Sequence, residues 1–360
     1  MRQSLTLYAC PGKLPRQTAA KAQHMVRQRS PGPDDRKAPQ MTPPLRIAYI
    51  RRFADAELIP ALQGMENIET VVLSVEEAIA GGLAGCDGIV VAGAKDLWTA
   101  DFARAVEASG LRFIQNMTAG YDGIDLYDLP GIAVYGNGGV LGAPVAEHGM
   151  AMLLTLMRRL DFAVLSQQKK TWGRKEIPPI LTLEDRRMTI LGFGSIGRAA
   201  AKRARAFDMQ IAALRRTGGS DPEADVVYSY DEMQSAFAQT DVLFLAAPLT
   251  DETFRILNET TLSWLKPGAV VVNVGRGDLI CSEALQKALE SGHLGGACLD
   301  VTAPEPLPDN HPLWSAPNVL ISPHVAGGSD RAGAKLAAHV VANLRLLLQG
   351  QRPAHVIRDH

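Results

Sequence analysis

Cysteine is scarce in this 360-residue chain: Cys10, Cys86, Cys281 and Cys298 lie far apart and form no CxxC pair. That pattern argues against a disulfide framework or a structural zinc site, no metal is expected, and a reducing, cytoplasmic setting fits. Long apolar runs are missing too. None approaches the roughly 18 residues needed to span a bilayer, so no membrane partner is expected. The apolar stretch before Cys10 is too short for a signal peptide. Net charge is almost absent, at −1, which removes the electrostatic case for nucleic acid or an anionic membrane surface. No tandem repeat at a solenoid period is visible.

What is present is an ordinary globular composition, 46% hydrophobic and 21% charged, long enough for two domains that each bury a core. The charge is uneven. Residues 1–44 carry eight Lys and Arg against Asp34 and Asp35, a net of +6, which leaves −7 on the rest. This segment has no lasting apolar period and is expected to be a mobile extension, with Met41 standing as an alternative start.

From Leu45 onward, short β-branched runs alternate with helix-like stretches. The runs include Arg46–Ile50, Thr70–Leu73, Gly88–Val91 and Arg112–Asn116, then Met188–Gly192, Gln210–Leu214, Asp241–Ala246, Val270–Asn273, Gly296–Asp300 and Val319–Ser322. Several are continuously apolar, as strands covered on both faces are. The pattern predicts an α/β fold of two Rossmann-like, doubly wound parallel-sheet domains with an active-site cleft between them. Residues 137–322 are expected to form a dinucleotide-binding domain, and 45–136 with 323–360 a substrate domain. A long apolar helix is expected over Val145–Leu160, and a closing one over Arg331–Gln349 with Leu336, Val340, Leu344 and Leu347 on one stripe.

The strongest local motif is Gly192-Phe-Gly194-Ser195-Ile196-Gly197. It follows an apolar strand and opens an Ala-rich helix, the context in which G-x-G-x-x-G binds a dinucleotide. Gly192 permits the tight turn, Gly194 lets the backbone approach a diphosphate, and Gly197 lets helix and strand close up. The diphosphate then sits on the helix N-terminus. The next strand lacks the terminal Asp or Glu that binds the ribose 2′-hydroxyl of NAD. It ends instead in Arg215-Arg216-Thr217, a set suited to a 2′-phosphate. NADP(H) is therefore expected over NAD(H), with NAD(H) still usable.

Three further polar segments end apolar strands: Asn273-Val274-Gly275-Arg276-Gly277, Asp300-Val-Thr-Ala-Pro-Glu305-Pro, and Ser322-Pro-His324. In an open parallel sheet these ends converge on one crevice. In this order after the fingerprint, the segments resemble those of the D-isomer-specific 2-hydroxyacid dehydrogenase family, over about Leu45 to Gly350. The resemblance implies Arg276, Glu305 and His324 as the catalytic set. His324 would give a proton to a carbonyl oxygen, Glu305 would hold it charged, and Arg276 would bind the substrate carboxylate. It implies cofactor contacts at Ala247, Pro248, Val274, Asp300 and His324, and substrate contacts from the backbone of Ala119 and Gly120. Glu147 and the histidines His148, His293, His311 and His339 are assigned structural roles. The Val145 helix is similar to one used for homodimer contacts.

The resemblance implies an oxidoreductase acting on a small 2-keto or 2-hydroxy acid. NADPH-dependent reduction of glyoxylate or hydroxypyruvate is the expected specialisation. A phosphoglycerate or phosphite dehydrogenase is an alternative within the fold, and a nucleotide-sensing corepressor is one of another class. Turnover of any 2-keto acid separates the enzymes from the sensor.

Overall fold

The computed structural model describes residues 44–359 except Phe53 and Lys95. The expected basic extension, apart from Pro44, lies outside the described residues. The described chain divides into two units. One is Gly142–Gly328; the other comprises the residues that end at Leu141 and those that resume at Ser329.

The first unit holds seven strands: β6 (Arg187–Leu191), β7 (Gln210–Arg215), β8 (Val226–Ser229), β9 (Val242–Leu245), β10 (Ala269–Asn273), β11 (Leu294–Leu299) and β12 (Val319–Ile321). Their order in the sheet is β12-β11-β10-β9-β6-β7-β8, and all pairs are parallel. The order reverses between β6 and β9, where ligands seat in doubly wound sheets. Neighbouring side chains on each strand enter opposite cores. Ile190, Phe244 and Val272 enter one, while Leu191, Leu243 and Val271 enter the other. Both faces are covered, which is why these strands read as unbroken apolar runs.

The second unit carries a six-stranded sheet, β13-β5-β4-β3-β1-β2, made from β1 (Leu45–Ile50), β2 (Ile68–Leu73), β3 (Gly88–Val91), β4 (Phe113–Asn116), β5 (Ala133–Tyr135) and β13 (Val356–Arg358). Of these, β13 runs antiparallel to its neighbour and the others run parallel. The closing helix spans Ala332–Leu348, and Leu336, Val340, Leu344 and Leu347 are its buried stripe, as the spacing predicts.

The apolar helix differs from expectation. It runs over Gly142–Met157; Arg159 then takes φ 56°, and a second helix, Leu160–Gln168, begins at once. A non-glycine residue in the left-handed region cannot continue a right-handed helix, so the chain turns there.

Candidate active site

The register of the seven-stranded sheet aligns its carboxyl ends. Leu191 pairs with Leu214 and Leu245, Leu245 with Asn273, Asn273 with Leu299, and Leu299 with Ile321. The loops that begin at Gly192, Arg216, Ala246, Val274, Asp300 and Ser322 therefore leave along one edge, with Arg215 closing β7. The candidate cofactor and catalytic residues of the sequence lie on these loops, at the end of β7 and at the start of the helix that follows the first loop; Ala119 and Gly120 belong to the other unit.

The three fingerprint glycines do three different things. Gly192 has φ 89°, and a Cβ there would lie 2.5 Å from the Ala247 nitrogen. A Cβ on Gly197 would lie 2.3 Å from the Gly192 carbonyl oxygen. Both positions exclude any side chain because backbone already fills the space. Gly194 is the opposite case, with no atom within 4 Å of its Cβ position. It stands exposed at the start of the helix Ser195–Arg205, whose first turn carries no acidic side chain. The free N–H groups of that turn face a space that a Cβ on Gly194 would occupy, so the cradle fits a dinucleotide diphosphate. Ser195 is exposed beside it, and Ile196 packs against the core. Ala247 and Val274 are buried, while Pro248 is exposed.

After β7, the two arginines part ways. Arg215 donates from Nε to the Thr217 carbonyl at 3.0 Å and from Nη2 to the carbonyls of Gly218 and Ser220 at 3.2 and 3.3 Å. Its Nη1 lies 3.6 Å from Asp221. It braces the loop that carries Arg216 and Thr217, which are both exposed. Asp221 is gripped from the fingerprint helix by Arg198, at 2.9 and 2.6 Å. This pairing holds the Asp221 carboxyl below the usual carboxylate range.

Arg276 follows β10. Asn273, fully buried, ties the turn by donating from Nδ2 to the Arg276 carbonyl at 2.9 Å and accepting from the Gly275 N–H at 3.1 Å. A Cβ on Gly277 would stand 2.0 Å from the Thr302 carbonyl oxygen, so the Arg276 turn lies flat on the loop that leads to Glu305. Glu305 in turn accepts a hydrogen bond from His324 Nδ1. The pairing with Glu305 raises the imidazole pKa, opposed by burial and by the nearby Arg276 guanidinium. The site thus juxtaposes a fixed cation, a carboxylate and a histidine biased toward its protonated form.

Asp300 follows β11 directly. Its side chain is 1% exposed, and its oxygens accept from Ser322 Oγ at 2.6 Å and from the N–H groups of Val325 and Ala326 at 3.0 Å each. The acid anchors the His324 loop. Sequence reasoning gave His148 a structural role without a partner, and it missed Asn273 as part of this scaffold. The signal for Asn273 was a polar residue closing an apolar strand. Glu147, by contrast, makes a solvent-facing ion pair with Arg203 at 3.3 Å.

In the other unit, Ala119 and Gly120 lie in a turn held by side chains. Asn116 Nδ2 donates to the carbonyls of Thr118 and Gly120 at 2.9 and 3.1 Å. Thr118 Oγ1 accepts from the Gly93 N–H at 2.8 Å. The 91–94 loop is thereby bound to the same turn. Among the described residues there is no group of His, Cys, Asp and Glu that could hold a metal ion, and no helix long and apolar enough to cross a membrane.

Comparison with known proteins adds the following. The family model for the D-isomer specific 2-hydroxyacid dehydrogenase NAD-binding domain matches residues 150–326. A glyoxylate reductase from Pyrococcus furiosus is 34% identical over 258 residues, covering 69% of this chain and 76% of that protein. The solved structure of a protein from Thermus thermophilus is similar with a TM-score of 0.71 and 32% identity, over 87% of this chain and 100% of that one. An NADPH-dependent glyoxylate/hydroxypyruvate reductase from Sinorhizobium meliloti, solved with citrate, is similar with a TM-score of 0.73 and 29% identity, over 87% and 97%.

Proposed function

We propose a specific reaction for this chain, which belongs to the D-isomer-specific 2-hydroxyacid dehydrogenase family and is an NAD(P)-dependent oxidoreductase: NADPH-preferring reduction of glyoxylate or hydroxypyruvate to the hydroxy acid. The observation that carries it is the hydrogen-bonded Glu305–His324 pair on the same sheet edge as Arg276 and the glycine turn. Arg276 binds the substrate carboxylate and polarises the adjacent carbonyl. His324 gives its proton to the carbonyl oxygen, and Glu305 keeps that proton in place until it is needed. In the other unit, the backbone N–H groups of Ala119 and Gly120 are the proposed substrate contacts. The hydride comes from the reduced nicotinamide when it is bound. For NADPH, Arg216 and Thr217 hold the 2′-phosphate and Arg215 shapes their loop.

The small acids are favoured because the two reductases named above act on them. A cytoplasmic setting, which rests on the scarce, scattered cysteines of the sequence, belongs to the same proposal. So does a homodimer, in which a second copy covers the helix Leu160–Gln168. No residue of that helix is buried, and Leu160, Val164 and Leu165 are each about half exposed, followed by Trp172 at 96%.

The test follows the reduced-nicotinamide absorbance of purified protein with NADPH or NADH against glyoxylate, hydroxypyruvate, pyruvate and a branched 2-keto acid. Rapid NADPH oxidation with the first two acids is expected. Equal kcat/KM with NADH would remove the cofactor preference, and inactivity with every acid would overturn the reaction.

A further inference from the structure

His324 has φ 54°, a conformation that a non-glycine residue keeps only when its surroundings impose it. The surroundings here are Asp300 and what holds Asp300. The His324 N–H donates to the Asp300 carbonyl at 2.8 Å, and the next two N–H groups, of Val325 and Ala326, go to its two carboxylate oxygens. Ser322 Oγ donates to Oδ1 at 2.6 Å. From the helix Gly142–Met157, His148 Nε2 comes within 2.8 Å of the Ser322 hydroxyl and 3.4 Å of Asp300 Oδ1.

Proton accounting orients this chain. The Ser322 hydroxyl has one proton, and the short contact commits it to the carboxylate, although Met152 Sδ also lies 3.4 Å away. His148 must then donate to Ser322, which fixes a proton on Nε2. The buried carboxylate thus receives two backbone donors and one hydroxyl, with the imidazole behind the hydroxyl. These donors form one network around a buried group, and each lost donor weakens the whole.

We infer that His148 and Ser322 are positioning residues for His324, acting through Asp300. They keep the histidine loop in the one arrangement that presents Nδ1 to Glu305. The charged and titratable groups facing His324 are Glu305, Arg276 and Asp300; the charged group facing His148 is Asp300. The inference rests on the proposed proton-donor role of His324 for its kinetic readout, and on the loop geometry alone for its spectroscopic one.

The experiment uses the full chain with four substitutions: His148→Leu, His148→Gln, Ser322→Ala and Ser322→Thr. Thermal melting first establishes that each variant folds. The His324 imidazole is then titrated by NMR, with its resonance assigned through His324→Gln, and kcat and KM are measured across pH with NADPH and glyoxylate. In His148→Leu and Ser322→Ala the His324 titration is expected to move down toward that of an ordinary histidine. The alkaline limb of kcat should follow it, with kcat about tenfold lower, the worth of one charge-assisted hydrogen bond, and the KM for NADPH unchanged. His148→Gln and Ser322→Thr keep a donor and are expected to restore both. An unmoved His324 titration in folded His148→Leu and Ser322→Ala overturns the inference. Because that titration needs no substrate, it stands apart from a failure of the proposed reaction, which wild-type inactivity alone would reveal.

Discussion

The Glu305–His324 hydrogen bond sets the pH behaviour of the site. The proposed reduction needs His324 protonated, and the bond to Glu305 raises its pKa. Activity should therefore persist to higher pH than an ordinary histidine would allow and fall as pH rises past that raised value. Glu305→Gln removes the partner charge, so the alkaline limb should shift to lower pH and kcat should drop. His324→Ala should cost about 10²- to 10⁴-fold in kcat, the usual worth of general acid catalysis. A limb that stays in place in Glu305→Gln would separate the pair from proton transfer. Gly277 matters at the same scale for a steric reason. Any Cβ there meets the Thr302 carbonyl, so Gly277→Ala should lower both the melting temperature and kcat by pushing the Arg276 turn off the Glu305 loop.

At the scale of elements, the fingerprint turn and its helix make a contrast that can be measured. Gly194→Ala should leave the melting temperature unchanged while raising the KM for the cofactor, because its Cβ enters only the open cradle. Gly197→Ala should destabilise the fold, since its Cβ meets the Gly192 carbonyl. The loop after β7 yields a second contrast. Arg216→Ser should reduce the NADPH-over-NADH ratio of kcat/KM by about tenfold or more, the worth of a charged hydrogen bond. Arg215→Lys should loosen the 217–221 loop and weaken both cofactors. An unchanged ratio in Arg216→Ser would remove the 2′-phosphate assignment. The sequence already marked this loop by its missing acid. It did not distinguish the two arginines, because only folding turns Arg215 back on the carbonyls of Thr217, Gly218 and Ser220. Strands divide the same way. β6, β9 and β10 are buried on both faces and announce themselves as apolar runs. β8, β13 and β5 are half-buried edge strands or only three residues long and are broken by polar or aromatic residues, so they went unnoticed, whereas β12, equally short and half-buried, is an unbroken aliphatic run.

For the whole molecule, the proposed second copy on the helix Leu160–Gln168 leads to a direct expectation. Light scattering at micromolar concentration should report twice the chain mass, and Val164→Glu with Leu165→Glu should yield a folded monomer. A wild-type monomer would sink the assignment. What was readable before folding was everything that depends on near neighbours in the chain: the glycine turn between strand and helix, the alternation of strands and helices, the buried stripe of the closing helix, and the order of the Arg, Glu and His segments. What needed the folded chain was every partnership between distant residues. Ser322 stands 174 residues from His148 and 22 from Asp300, and no local pattern relates them. Sheet register brings the ends of β11 and β12 side by side, and a helix from the start of the unit supplies the last donor. Short-range periodicity encodes which elements form. The pairing of their ends, and hence the setting of the proton donor, exists only once the sheet is assembled.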